Sequence, residues 1–339
     1  MNHPPLVTVL MPVYNAGFYL HEAISSILNQ TYSNFEFLIF NDGSTDQSKS
    51  IILSFHDTRI KFFDHPENFG HLKHLNTGIQ MAQGKYIIRA DADDLNYPQR
   101  IEKQISFLEA NPHIGLCGSW VEIINTNGEP KYLQKYYVDD AFVRAHLFWS
   151  VAILHPTAVL RKSVLEQYSL NYKAEWYLAE DYALWIEMAS CCCLANIPEA
   201  LVQVRKHDQN ISKTRFGEQK KLTDKLRIMQ MARLEIQPNW EEWNTHEQLL
   251  YGAKKIDLSF VKSVNDWFEK LERQNQKTKA FPVPEFRKIL QEHWYKITLG
   301  YSRLGLPLWW AFINNPLSEY RKFGFAFNIK FFIKAVCRI

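Results

Sequence analysis

The chain reads as an α/β protein: a mostly parallel, doubly wound central sheet flanked by helices, with a helical C-terminal extension. Three observations predict this class. Short β-branched or aromatic runs alternate with stretches of helical period through residues 6–91, the order in which parallel strands receive their crossover helices. Each run ends in a polar or acidic cluster, and ligands of open α/β sheets sit beyond the carboxyl ends of the strands. From about Gly217 strand signals thin out and charged stretches of helical spacing take over, which places a boundary near residues 211–216.

The elements follow in order. Leu6–Met11 is a β-branched run closed by Pro12, hence a buried first strand. Asn15-Ala16-Gly17 turns the chain, and Tyr19–Asn29 brings Leu20, Ala23, Ile24, Ile27 and Leu28 onto one helical face. Phe35–Phe40 is the second strand and runs into Asn41-Asp42-Gly43-Ser44-Thr45-Asp46, where Ser44 or Thr45 can cap a helix to Phe55. Ile60–Phe63 is the third strand, and Pro66-Glu67-Asn68-Phe69-Gly70 leads into a helix to about Ala82. Gly84 separates that helix from a fourth strand, Tyr86–Ala90, which ends abruptly in Asp91-Ala92-Asp93-Asp94. Beyond it we expect helices over Pro98–Asn111, Asp139–Phe148, Ser163–Tyr168 and Asp181–Ala189, and strands over Ile114–Ile124, Thr157–Leu160 and Leu201–Arg205. Asn125–Gly128 is a turn and Tyr172–Glu180 an aromatic loop.

With 339 residues, 46% apolar and 22% charged, the chain has the composition of a globular protein large enough for a full core. A net charge of +3 gives no electrostatic case for nucleic acid. Ten Trp suit either sugar-stacking platforms, a membrane-facing surface or core packing. Cys117, the trio Cys191-Cys192-Cys193 and Cys337 form no CxxC pair or disulfide framework, so reduced thiols and a cytoplasmic setting are expected. The stretch from Met1 to Pro5 carries no signal-peptide pattern.

Taken alone, Asp91, Asp93 and Asp94 read as an acidic turn or as a divalent-cation site, since hard cations take oxygen ligands and bridge carboxylates to phosphates. Glu180-Asp181 reads as an acidic helix opening or as a catalytic pair. In combination and order, however, PVYN (12–15), NDGSTD (41–46), ENFG (67–70) and DADD (91–94) with Pro98 and Arg100 strongly resemble the inverting glycosyltransferases of family 2, which have the GT-A fold. His155-Pro156-Thr157, Ala179-Glu180-Asp181-Tyr182 and Arg205-Lys206-His207 match later motifs of that family, so the likeness covers about residues 5–215.

The resemblance implies a GT-A catalytic domain over 1–215, with a nucleotide-sugar half at about 1–97 and an acceptor half at about 98–215. It also implies a helical region over 216–339 that serves acceptor or membrane. Pro12, Val13, Tyr14, Asn15, Asp42, Asn68, Gly70, Asp91 and Ala92 would hold the nucleotide, with Asp42 accepting the imide N–H of uracil. Asp93 and His207, with Asp91, would hold Mn²⁺ or Mg²⁺. Asp181, beside Glu180, would be the base that inversion requires. Burial beside Glu180 would raise its pKa from the feeble 3.9 of a free aspartate, against the pull of the helix N-terminus. Arg89, His155, Trp176 and Tyr177 are candidates for sugar contacts, and the loops around Arg89, residues 149–155 and Trp176 would select the donor.

Within the family the chain is similar to bacterial lipooligosaccharide and capsule enzymes that add a β-linked hexose or N-acetylhexosamine. It lacks their processive relatives' QxxRW motif and membrane spans, which points to transfer of one sugar. We expect a UDP-sugar donor, GlcNAc first, and a glycan or glycolipid acceptor at the cytoplasmic face of the inner membrane. Residues 321–339 have no acidic side chain and carry Lys322, Lys330, Lys334 and Arg338 at multiples of four, a pattern suited to an anionic membrane surface or to packing on the domain. Two competing readings remain. A nucleotidyltransferase would have a Gly- and Lys-rich phosphate loop where PVYNAGF stands, and a glycosyltransferase-like scaffold would tolerate loss of Asp93, Asp181 or His207.

Overall fold

The computed structural model describes residues 5–208, 210–253, 255–319 and 332–336. The strands are β1 (Val7–Val13), β2 (Phe35–Asp42), β3 (Ile60–His65), β4 (Tyr86–Arg89), β5 (Leu95–Asn96), β6 (Ile114–Ile124), β7 (Pro130–Gln134), β8 (Val159–Arg161) and β9 (Cys193–Arg205). Among them run helices α1 (Leu20–Leu28), α2 (Ser48–Leu53), α3 (His71–Met81), α4 (Arg100–Ala110), α5 (Asp140–His146), α6 (Lys162–Gln167) and α7 (Glu180–Met188). Then follow α8 (Ile211–Thr214), α9 (Phe216–Arg233), α10 (Trp240–Tyr251), α11 (Leu258–Thr278), α12 (Val283–Gly300) and α13 (Leu306–Asn314). The chain forms two compact units, Met1–Val143 with Ser150–Leu226, and Arg144–Trp149 with Arg227–Ile339.

The first unit holds the whole sheet, in the order β3-β2-β1-β4-β8-β6-β9-β5 with β7 on β6. The expected parallel block is β3-β2-β1-β4, joined by α1, α2 and α3. β8 then enters antiparallel between β4 and β6, while β6 and β9 run parallel, so the sheet as a whole is mixed. Val7, Val9, Met11, Phe37, Ile39 and Ile88 are fully buried on one sheet face with Leu20, Ala23, Ile24 and Ile27 of α1, which is why β-branched runs and a 3-4 spaced helix recur in this sequence. α3 lies close on β1: a Cβ at Gly78 would stand 2.3 Å from Leu10 Cδ1, so a larger residue there would have to displace the buried Leu10 side chain. Fully buried Arg100 fixes the end of β4, its Nη2 donating to the Arg89 carbonyl at 2.9 Å and its Nε to Gln104 at 3.0 Å.

β9 is longer than the expected strand at Leu201–Arg205, beginning at Cys193 and shifting register on β6 between Ser119 and Trp120. The expected strand Thr157–Leu160 is a 3-10 turn at His155–Thr157 followed by β8.

The second unit is helical, as expected for this part of the sequence, and its core is aromatic. Phe148, Trp149, Trp267, Phe268 and Trp294 are buried, and Trp149 stacks on His246 with ring centres 4.7 Å apart. Trp149, expected near the donor sugar as part of residues 149–155, is therefore a core side chain, and Arg227 Nε donates to its carbonyl at 2.7 Å. Among the described residues no helix is long and apolar enough to cross a membrane. Of the basic segment 321–339, only 332–336 fall within the described residues, and they are helical; the rest of that expectation lies outside them.

Candidate active site

The loops after β1 and β2 are stitched together by short side chains. Asn15 takes a left-handed backbone conformation (φ 49°), from which its Oδ1 accepts the Thr45 N–H at 2.8 Å. In return Ser44 Oγ and Ser48 Oγ accept from the N–H groups of Asn15 and Ala16, each at 3.0 Å, and Asp46 accepts from Gly17 at 2.8 Å. Pro12 and Val13 are buried, whereas Tyr14 is 52% exposed. Gly43, with φ +70°, lies against the next loop so closely that a Cβ would stand 2.6 Å from the Glu67 carbonyl carbon.

Asp42 holds that next loop. Buried to 2% exposure, it accepts from Phe69 N–H at 2.7 Å, from Gly70 N–H at 3.0 Å and meets His74 Nε2 at 2.6 Å. A carboxylate has about four lone-pair sites, so three donors leave roughly one for a ligand. Asn68 turns the same loop, its Oδ1 accepting from Gly70 N–H at 3.0 Å, and Gly70 (φ 86°) opens α3.

Beyond β4, Asp91, Asp93 and Asp94 bring carboxylate oxygens within 4.8 Å of one another. Arg89, 7% exposed, pairs with Asp91, and its Nε is buried without a partner. Asp94 is buried and accepts the Arg205 N–H at 2.9 Å. Asp93 faces His207, Nε2 to Oδ2 2.8 Å, and Asn210 lies 3.4 Å from the same oxygen while accepting the His207 N–H at 2.7 Å. Burial and the charge of Asp93 push the Asp94 carboxyl well above the usual carboxylate range and raise Asp91 as well, although Arg89 counters the latter. Ala92 packs at the edge of the core between these acids. The donors suit a divalent cation: clustered carboxylate oxygens with one imidazole, disfavoured as a set of free charges at neutral pH.

The second acidic group opens α7. Leu178, before it, has φ 81°, a strained value for a leucine, and Gln219 Nε2 donates to its carbonyl at 2.9 Å. Glu180 is 6% exposed and bonds His71 Nε2 through Oε1 at 2.8 Å, while its Oε2 is buried with no partner. Burial alone would raise Glu180, but the hydrogen bond and field of His71 outweigh it and hold the carboxyl down to about 2. Asp181 has the opposite environment. Half-buried, it is pushed up to about 7 by desolvation and then by the charge of Glu180, with the Tyr182 N–H at 2.7 Å and the helix opening resisting. Asp91 adds a smaller push, which sets the two acidic groups within one electrostatic neighbourhood.

His155 belongs to the same neighbourhood. Its Nε2 lies 2.9 Å from Tyr172 Oη, and burial pushes its pKa down to about 3, so the imidazole is neutral. Trp176 is half-buried in a 3-10 turn, and the Tyr177 ring lies tilted against His71, with ring centres 5.1 Å apart, and 5.3 Å from the Arg215 guanidinium. Sequence reasoning missed His71, His74 and Asn210, and named Arg205 only as part of the motif at 205–207 without a role. Arg205 is 1% exposed and spans Asp93 O (3.1 Å), Thr126 O (3.1 Å) and Glu22 (3.0 Å), with the Tyr19 ring beneath it at 4.4 Å. The two histidines follow ENFG at once, yet nothing local reveals that their partners lie 109 and 32 residues away.

Comparison with known proteins gives a consistent picture. The sequence pattern described as glycosyl transferase family 2 matches residues 8–169. An uncharacterized glycosyltransferase of Haemophilus influenzae is 38% identical over 238 residues, which cover 67% of this chain and 73% of that protein. Another, of Methanocaldococcus jannaschii, is 32% identical over 232 residues, covering 64% and 76% respectively. Among solved structures, residues 1–349 of S. aureus TarS in complex with UDP-GlcNAc align with a TM-score of 0.55 at 16% identity, over 87% of this chain and 92% of that one.

Proposed function

The chain belongs to glycosyl transferase family 2 and has its GT-A fold, and from that premise we propose that it moves a single sugar from a UDP-sugar to a glycan hydroxyl with inversion. GlcNAc is the first donor to test, since the similarly folded TarS structure carries UDP-GlcNAc. The acceptor we propose is a growing bacterial surface glycan, lipooligosaccharide or capsule, met at the cytoplasmic face of the inner membrane. In this reading residues 1–97 serve the nucleotide, 98–215 the acceptor, and 216–339 acceptor or membrane contact.

The observation that carries the reading is the contrast between two acidic groups in one neighbourhood, a converged set at Asp91, Asp93, Asp94 and an adjacent pair in which Glu180 is held down while Asp181 is raised. Inversion needs a base on the sugar face opposite the leaving group, able to take a proton near neutral pH. Asp181, at about 7, is tuned for that step, and Glu180 stays charged beside it. As the acceptor oxygen bonds to the anomeric carbon and the bond to UDP breaks, the hydroxyl proton passes to Asp181. Asp93 and His207, with Asp91, are the residues that would hold Mn²⁺ or Mg²⁺. The bound cation would stabilise charge on the departing diphosphate as a Lewis acid. Tyr14 offers a ring to the base, Asp42 its remaining lone pair to the uracil imide, and the Asn15, Asn68 and Gly70 loops frame the pocket. Arg89, His155, Trp176 and Tyr177 line the side where the sugars would meet.

The test is release of UDP from a panel of UDP-sugars with Mn²⁺ and galactoside acceptors. We expect turnover with at least one donor, and Asp181→Asn should lower kcat about 100- to 10,000-fold with UDP affinity unchanged. A wild-type protein that turns over no UDP-sugar would overturn the enzyme assignment. Equal losses of kcat and UDP affinity would instead make Asp181 a binding residue.

A further inference from the structure

A continuous set of contacts runs from the nucleotide loop to the acidic pair, and its middle member has no role in the reading above. Asp42 fixes the Phe69 and Gly70 N–H groups, and Gly70 opens α3. The next residue, His71, reaches across to α7 and bonds Glu180 Oε1 at 2.8 Å. The His71 ring also lies against Tyr177, itself covered by Arg215, so the imidazole is enclosed on the side of the aromatic loop. Its side chain keeps 21% of its surface, against 8% for Glu180.

Resting on the proposed transferase reaction, we infer that His71 is a positioning residue: through its bond to Glu180 it locks α7, and with it Asp181, to the loop that closes the nucleotide pocket.

Three features point this way. Glu180 sits at the first position of a helix whose N-cap, Ala179, supplies no side-chain cap, so the opening turn depends on outside contacts for its orientation. The residue before it, Leu178, is in a strained left-handed conformation, which persists only where surrounding contacts enforce it. Nearly buried, Glu180 has one oxygen without any partner, so His71 supplies the side-chain hydrogen bond that compensates its charge. Other charged or titratable groups bear on the pair: Asp91 at the β4 end, His155, Tyr172 and Tyr136. None of them has a hydrogen bond to Glu180 among those seen in the structure.

The inference predicts a functional unit, which mutant kinetics can isolate. His71→Ala, His71→Gln, Glu180→Gln and the double variant His71→Ala/Glu180→Gln would be assayed in the full chain with the UDP-sugar that the wild type uses. His71→Ala should lower kcat about 10- to 100-fold while KM for the UDP-sugar and UDP affinity stay within about threefold. His71→Gln keeps an N–H donor near the same place and should recover at least about tenfold. The double variant should be no slower than about threefold below the worse single one, because both substitutions break the same link. The idea is overturned by unchanged kcat in His71→Ala, by a loss carried in KM, or by multiplicative losses in the double variant. Thermal melting separates misfolding from the effect; if His71→Ala does not fold, His71→Phe, which keeps a ring against Tyr177 but has no donor for Glu180, is held to the same criterion, so a kcat about 10- to 100-fold lower at unchanged KM supports the link and an unchanged kcat overturns it. A wild-type chain inactive on every UDP-sugar refutes the transferase reading itself, an outcome distinct from all of these.

Discussion

The two acidic groups of the first unit are both built from carboxylates and behave in opposite ways. At the end of β4 three carboxylates crowd one point and are answered by fixed positive or donor groups, Arg89 on Asp91, the Arg205 N–H on Asp94 and His207 on Asp93. At the start of α7 two adjacent carboxylates diverge, one hydrogen-bonded to His71 and held at about 2, the other desolvated beside it and raised to about 7. Like charges brought together invite a cation, whereas like charges held apart in environment sort themselves into a permanent anion and a proton acceptor. The division of roles proposed above, one group for the leaving diphosphate and one for the proton, follows from that difference.

Asp181→Asn should remove about 100- to 10,000-fold of kcat and leave Mn²⁺ and UDP binding intact, while Asp93→Asn should weaken Mn²⁺ binding, read by isothermal titration, at least about tenfold. If Asp93→Asn spares metal binding, or Asp181→Asn abolishes it, the two groups are not divided as argued. The pH profile sharpens the same point. A base with a pKa of about 7 must lose its proton to work, so kcat/KM should rise with pH through about 7 and level off above it. An acid limb near 4 would show an unperturbed carboxylate. A smaller effect tests the support of the first group: Asn210→Ala should cost about tenfold in Mn²⁺ affinity through loss of its hold on His207 and Asp93, with little change in the acid limb.

Much of this arrangement was legible in the chain because it is written in local signals. The β1–β4 block comes from apolar runs of four to eight residues with Gly84 and polar loops between them, and every one of those runs forms a strand. The motifs at 12–15, 41–46, 67–70 and 91–94 sit where an α/β sheet places its ligands. What was not legible depends on partners distant in sequence. β5 is two residues long and exists because Leu95 and Asn96 pair with Gln203 and Val202. β9 starts at Cys193, but Pro198 and Glu199 interrupt its apolar pattern, and the register shift opposite Ser119 is what lets pairing continue. His71 reads locally as a histidine at a helix opening, and Arg205 as one more basic residue at the end of a strand. Only the fold reveals the contacts they make with Glu180 and with Asp93.

The smallest effect is on stability, and its sign separates the two members of the acidic pair. Asp181 has a pKa of about 7 folded and about 3.9 unfolded, so between those values the folded state keeps a proton that the unfolded chain has lost. Its favourable contribution is therefore fully present below pH of about 4 and is lost as pH rises through about 7, where a poorly solvated charge must be carried. Glu180 runs the other way, about 2 folded against about 4.3 unfolded, so its contribution is present above pH of about 4.3 and disappears as pH falls through about 2. At pH 8, Asp181→Asn should raise the melting temperature by a few degrees and Glu180→Gln should lower it by a similar amount, with the gain of the first variant closing by about pH 4. Melts of both variants at pH 4, 6 and 8 check this, and a fall for both at pH 8 would mean that the adjacent carboxylates are held in the same environment after all.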